Sequence, residues 1–159
     1  MKKITPFLGF DKDMKGIIDF YKSVFPDMKV SSGGELENTP SGSVQMATFE
    51  ILGQEPSLMT AGPLFKFSEA ISLMVTCDTQ EEIDYYWEKL IADGGSEGPC
   101  GWLKDKYGLS WQIAPSAMNR MMKEGSKDQI KRVTEAFMKM KKFDLKTLEE
   151  VYNKNYNHI

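Results

Sequence analysis

The chain has 159 residues, with 41% apolar and 27% charged side chains, 13 Gly and 7 Pro. That is the composition of an ordinary globular protein of one domain or two half-domains. Collagen, coiled coil and extended disorder are excluded, and no apolar run reaches the roughly 18 residues that a membrane helix needs. The net charge of −3 is unevenly spread: residues 1–115 carry 10 Lys+Arg against 17 Asp+Glu, and residues 116–159 carry 10 against 6. Two cysteines, Cys77 and Cys100, are too few for a disulfide framework. The opening Met1-Lys2-Lys3-Ile4-Thr5-Pro6 leads into no apolar h-region. These features predict a cytoplasmic protein with free thiols.

The single histidine, His158, is the penultimate residue. Most proton shuttles and transition-metal sites rest on imidazole. A two-His-one-carboxylate iron site cannot be assembled within this chain. A Ser-His-Asp or Cys-His arrangement would need the tail to fold back.

In chain order, Ile4 to Phe10 alternates as a strand does. Asp11 to Asp13 offers N-cap chemistry, and Ile17, Phe20, Tyr21 and Val24 then fall on one helical face, ended by Pro26. Strands are expected over Met28–Leu36, bent at Gly33-Gly34, over Val44–Leu52 and over Ser57–Ala61, with a turn at Asn38–Gly42. The opening then recurs. Ala70–Cys77 reads as a strand, and Thr79 with Glu82 as a capping box. A helix face follows at Ile83, Tyr86, Trp87, Leu90 and Ile91, stopped by Gly94-Gly95. Ser96–Leu103 is a strand or paired arm, Lys104–Gly108 a turn, and Leu109–Ala114 a closing strand. Phe10-Asp11 followed by Ile18-Asp19-Phe20-Tyr21 matches Cys77-Asp78 followed by Ile83-Asp84-Tyr85-Tyr86. A repeated strand–helix–strand unit suggests that one copy cannot close its core alone. Two such half-sheets side by side would curl around a shared cleft.

After Pro115 the pattern turns helical. Ser116–Lys123 is short and ended by Gly125. Ser126 and Gln129 form a capping box ahead of Ile130, Val133, Phe137 and Met138, and Asp144 caps Leu145, Leu148, Val151 and Tyr152. The basic residues of this tail are interspersed with acids, without interleaved aromatic platforms. Docking on an acidic body, its own or a partner subunit's, therefore fits better than nucleic-acid binding.

Three stretches carry a family resemblance: Phe65-Lys66-Phe67-Ser68-Glu69-Ala70-Ile71-Ser72-Leu73, Cys100-Gly101-Trp102-Leu103-Lys104-Asp105 and Tyr107-Gly108-Leu109-Ser110-Trp111-Gln112-Ile113. They resemble the PhnB-like branch of the vicinal oxygen chelate superfamily, often labelled 3-demethylubiquinone-9 3-methyltransferase. The resemblance covers about residues 3–115 and extends to the helical tail. It implies an α+β fold of paired βαβββ modules forming a cupped mixed, glyoxalase-like sheet, usually in a homodimer, with the C-terminal helices as an extension. The expected division is a glyoxalase-like domain over 1–115, with modules at about 1–62 and 68–115. The tail over 116–159 would pack on the body or on a partner subunit.

In metal-dependent members of that superfamily, ligands lie on the first and last strands of each module. The matching positions here are Thr5 and Ser72, then Met59 or Thr60, and Gln112. Thr, Ser, Met and Gln make a poor divalent site, since zinc, iron and nickel prefer imidazole, thiolate or carboxylate. No metal and no cofactor is expected. Methyl transfer is not expected either, because no G-x-G-x-x-G run follows a strand and Gly94-Gly95-Ser96-Glu97-Gly98 follows a helix. Strand parity groups Thr5, Phe7 and Gly9, then Ser72, Met74 and Thr76, then Ser110 and Gln112. Together with Met59 and Trp102 these residues suit a small, partly apolar ligand, though Phe7, Met59 and Met74 equally suit plain core packing. Glu69 is the one carboxylate singled out for proton transfer, against a surface salt bridge. Cys100 reads as an inert loop thiol. The expectation is a metal-free small-molecule-binding protein, homodimeric, with no nucleic-acid or membrane partner. The alternative is a lyase- or isomerase-type enzyme using a carboxylate or a divalent metal.

Overall fold

A computed structural model describes residues 4–154. His158 lies outside the described residues. The chain falls into two compact units, Met1–Lys66 and Phe67–Ile159. Each holds one four-stranded mixed sheet, open at both edges, and the described residues include five α-helices.

The first unit runs β1 (Phe7–Phe10), α1 (Met14–Val24), β2 (Lys29–Thr39), β3 (Gly42–Glu50) and β4 (Ser57–Thr60), with sheet order β1-β4-β3-β2. β1 pairs parallel with β4, and the other pairs are antiparallel. α1 starts where the Asp13 carboxylate accepts the Gly16 N–H at 3.0 Å. It buries Met14, Ile17, Phe20, Tyr21 and Val24. Tyr21 meets Phe10 and Phe49 edge-on, with centroids 6.2 and 6.5 Å apart. The first strand is shorter than the alternation from Ile4 suggests. Thr5 is exposed and precedes it, and the Pro6 carbonyl already accepts the Ser57 N–H. The hairpin turn is tighter than expected as well: pairing reaches Thr39↔Gly42 and leaves Pro40-Ser41 as the turn.

The second unit repeats the order as β5 (Ser72–Cys77), α2 (Gln80–Ile91), β6 (Ser96–Glu97), β7 (Trp102–Lys104) and β8 (Ser110–Pro115), arranged β5-β8-β7-β6. α2 buries Ile83, Trp87 and Leu90, in the same spacing as Ile17, Tyr21 and Val24 of α1. The four-residue sequence match is therefore one residue out of register. It aligns Ile18 with Ile83, whereas the buried face aligns Ile17 with Ile83. The capping box at Thr79 is half formed. Its hydroxyl accepts the Glu82 N–H, but the Glu82 carboxylate turns back to the Asp78 N–H at 2.6 Å. The helix stop also differs in detail, since the left-handed residues are Asp93 and Gly94, not Gly95. Gly95 is required by contact: a Cβ there would lie 2.6 Å from Ile91 Cα and 2.7 Å from the Lys104 carbonyl. The arm over Ser96–Leu103 resolves into two short strands joined through Gly98–Gly101.

The helices α3 (Ser116–Glu124), α4 (Lys127–Phe137) and α5 (Leu145–Asn153) belong to this second unit. Met121, Val133, Phe143 and Leu148 form their core, with Cys100 and Ala114 packed against it. The capping box of Ser126 and Gln129 forms as the sequence indicates. Met138, expected on the apolar face of α4, is instead 63% exposed, because the helix ends at Phe137 and the chain turns. Arg132 donates to the last carbonyls of α5, at Val151 and Tyr152.

The segment between α4 and α5 is stitched to the second sheet by its backbone. The N–H groups of Cys100 and Gly101 donate to the carbonyls of Met140 and Lys141. The Gln80 side chain donates to the Phe143 carbonyl and accepts the Leu145 N–H. Gly101 has φ +79, and a Cβ there would sit 2.4 Å from Phe143 Cε2 and 2.7 Å from the Ile113 carbonyl. A Gly101→Ala variant should therefore lose about 2 kcal/mol or more in urea denaturation, from backbone strain and a contact that cannot relax. An unchanged midpoint would contradict this packing.

Candidate functional site

The second sheet presents two faces of opposite character. Leu73, Val75 and Cys77 of β5, Leu103 of β7, and Trp111 and Ile113 of β8 point into the core or towards it. Parity puts Ser72, Met74 and Thr76, Trp102 and Lys104, and Ser110 and Gln112 on the other face. Register then sets them in rows. Ser96, Lys104, Ser110 and Ser72 are successive partners across the four strands, and Trp102, Gln112 and Met74 form the next row.

The turn that aligns these rows is held by one carboxylate. Asp105 is 2% exposed. Its Oδ1 accepts the N–H groups of Tyr107 and Leu109 at 2.9 and 3.1 Å, and its Oδ2 accepts Trp111 Nε1–H at 2.9 Å. A buried carboxylate with three donors is satisfied, and its role here is to fix the β7–β8 turn. Trp102 and Trp111, neighbours of that turn in sequence, end on opposite faces. Trp111 is core and Trp102 is half-exposed on the face of the rows.

A cavity of about 580 Å³ opens on that face, lined among others by Trp102, Lys104, Ser110, Glu69, Gly98 and Pro99. Lys104 Nζ lies 2.6 Å from Glu69 Oε1 at its rim. The hydrogen bond from Lys104 holds the Glu69 carboxyl below its ordinary range. This ion pair is thus intact at neutral pH and is lost as pH falls through that lowered value. Glu69 is exposed and precedes β5, which begins at Ser72 and not at Ala70. Ser110 is fully buried, and its Oγ finds no hydrogen-bond partner among the described residues.

Ser72 and Gln112, the second-unit positions that the family resemblance sets against metal ligands, are joined to each other. Gln112 Nε2 donates to Ser72 Oγ at 2.8 Å. Both side chains are uncharged, and among the described residues no group of three or more His, Cys, Asp or Glu side chains is placed to hold a metal ion. Neutral amide and hydroxyl donors, one already donating to the other, do not fit a divalent ion of this superfamily.

The remaining candidates fall as follows. Met74 is 56% exposed on the Gln112 row. In the first unit, Phe7 is 52% exposed and shares a face with Gly9 and the half-buried Met59. Thr60 faces the other way, is buried, and accepts the Gln45 N–H at 3.1 Å. Thr5 lies outside the strand on which parity placed it. Cys77 is buried, which pushes its thiol up to about 12. Cys100 is half-buried with its Sγ 3.9 Å from the Met138 sulfur. The second unit thus brings Ser72, Met74, Trp102 and Gln112 onto one face, with Glu69 at the cavity rim. Lys104, Pro99 and the orphaned Ser110 hydroxyl are the additions that sequence reading does not weight. Parity does group Ser110 with Gln112, but nothing in the sequence marks its hydroxyl as unpartnered.

Residues 2–114 match a family model described as 3-demethylubiquinone-9 3-methyltransferase. The chain belongs to this PhnB-like family. The match stops at residue 114, so α3 to α5 lie outside it. No curated protein matches the sequence. The solved structure of a PhnB protein from Bacillus cereus, which carries the same methyltransferase description, is 36% identical, with a TM-score of 0.61 over 72% of this chain and 100% of that one. The fosfomycin resistance protein FosX from Listeria monocytogenes, complexed with Mn(II) and 1S,2S-dihydroxypropylphosphonic acid, is 15% identical, with a TM-score of 0.57 over 77% of this chain and 99% of that one. A glyoxylase/bleomycin resistance protein/dioxygenase domain from Frankia sp. is 14% identical, with a TM-score of 0.51 over 71% and 96%. The last two likenesses are of fold alone. Each unit of this chain runs in the order strand, helix, strand, strand, strand. Among the described residues no helix is long and apolar enough to cross a membrane.

Two predictions follow from the electrostatics and the orphaned hydroxyl. The Glu97 carboxyl is held below its ordinary range by hydrogen bonds from Trp87 Nε1–H and then Lys141, which ties α2 and the α4–α5 segment to β6. Because the folded-state value is depressed, this contribution is present at neutral pH and disappears on acidification. Wild type should therefore melt above Glu97→Gln at pH 7, with the gap closing on acidification as pH falls through the lowered Glu97 value. A gap that persists in acid would refute the assignment. Ser110→Ala should raise stability by about 1 kcal/mol in urea, because it removes a buried hydroxyl that has no partner. A loss of similar size would mean the hydroxyl is already bonded.

Proposed function

We propose that this protein binds a small organic molecule on the open face of its second sheet, without using a divalent metal. The observation that carries the reading is the Gln112–Ser72 hydrogen bond, which occupies the two second-unit positions corresponding to metal ligands. The cavity beside it, walled by Trp102 and Pro99, has the volume and apolar character of a small-ligand site. Metal chemistry of the kind the Mn(II)-bound FosX structure implies finds no matching donors among these residues. Both carboxylates that line the cavity are weakened as bases: hydrogen bonds from Lys104 hold Glu69, and from Trp87 and Lys141 hold Glu97, below the ordinary carboxylate range. The methyltransferase description is the family's label. In this chain Asp93 and Gly94 take the left-handed turn after α2 and Gly95 packs against Ile91, so the glycine stretch follows a helix and not a strand. A homodimer in the cytoplasm is part of the proposal.

Elemental analysis of purified protein tests the reading. It should carry no stoichiometric zinc, nickel, manganese or iron, and adding each metal should leave Tm within about 1 °C. One metal per chain, released by Gln112→Ala, would overturn the proposal.

A further inference from the structure

The same cavity specifies the chemistry of its occupant, and the inference rests on the reading just given. We propose that the ligand is an uncharged aromatic molecule carrying one hydrogen-bonding group, that Trp102 takes its ring, and that Ser110 reads its polar group. The charged side chains at the rim are already matched. Lys104 pairs with Glu69 at 2.6 Å. Glu97 accepts from Trp87 Nε1–H at 3.1 Å and from Lys141 at 3.2 Å. An anion or a cation entering here would lose its water and find no unmatched opposite charge, which is unfavourable in an apolar surround. Between these ion pairs the wall is Gly98, Pro99 and Trp102. A flat apolar body fits such a wall, and the indole of Trp102 offers a face or an edge for it.

Ser110 supplies the second, independent sign. Its neighbours in the row are Lys104 on one side and Ser72 on the other. Neither bonds to it: Lys104 turns to Glu69, and the Ser110 Oγ has no hydrogen-bond partner among the described residues. A fully buried hydroxyl left unpaired on the cavity face is a group kept for something that arrives there. A hydroxyl both donates and accepts, so it reads either a carbonyl or a hydroxyl on the ligand. A site built around one such group discriminates strongly against analogues that lack it.

Four probes of one size test this by isothermal titration calorimetry on the full chain: acetophenone, ethylbenzene, benzoate and benzylamine. Acetophenone should bind more tightly than the two charged probes. Ser110→Ala should weaken acetophenone by about tenfold and leave ethylbenzene unchanged, while Trp102→Ala should weaken both. Circular dichroism of each variant confirms that it is folded. Preference for benzoate or benzylamine would overturn the inference, as would acetophenone binding that ignores Ser110→Ala. Binding of none of the four would also overturn it. The metal-independent reading beneath stands or falls separately, on elemental analysis that uses none of these probes.

Discussion

The parallel ladder between Ser72–Cys77 and Ser110–Pro115 is the constraint on which the candidate site depends. Strand side chains alternate, so this one register decides which groups meet solvent and which meet the core. With Ser72 opposite Ser110 and Met74 opposite Gln112, the amide of Gln112 reaches the hydroxyl of Ser72. A slip of one residue would send Trp111 and Ile113 outward and bury the polar row. The ladder holds because its core face is strongly apolar: Val75, Cys77, Trp111 and Ile113 are all at most 4% exposed.

Two devices brace that ladder. Asp105 locks the turn into β8 through three accepted hydrogen bonds, one of them from a core tryptophan. On the other side, the α4–α5 segment lies along Cys100-Gly101 and pins the loop that leads into Trp102. Lys141–Glu97 and Lys142–Asp84 add ion pairs from the α4–α5 segment to β6 and α2, at 3.2 and 2.6 Å. They are partly exposed, so their energetic weight is small. The backbone bonds and the buried Phe143 are the stronger ties. The helices thus help shape a cavity wall although they lie outside the family match.

Much of this was legible in the sequence, and the reasons differ by element. α1, α2, α4 and α5 follow from apolar spacing and from caps at Asp13, Thr79, Ser126 and Asp144, because these are local signals. The repeat was legible as an order of elements, while its residue match was off by one: helix faces are set by packing, which a short identity does not report. Strand ends moved by a few residues, since pairing and not alternation decides them. Thr5 illustrates the consequence, losing its place on a strand that starts two residues later. Parity grouped Ser72 with Met74 and Gln112 with Ser110, whereas Trp102 joins their face through the β7–β8 register, which the sequence does not report. The unpartnered state of Ser110 and the closed Glu69–Lys104 pair depend on three-dimensional neighbours, and no linear pattern encodes them.

The central claim is that the positions which the family resemblance sets against metal ligands hold a neutral hydrogen bond here, beside a cavity proposed to take an uncharged ligand. A crystal structure from protein soaked with acetophenone and manganese chloride, with anomalous data collected at the manganese edge, tests it most directly. The account predicts an organic molecule between Trp102 and Ser110, with Gln112 still bonded to Ser72. An anomalous peak within bonding distance of the Gln112 side-chain oxygen would contradict it.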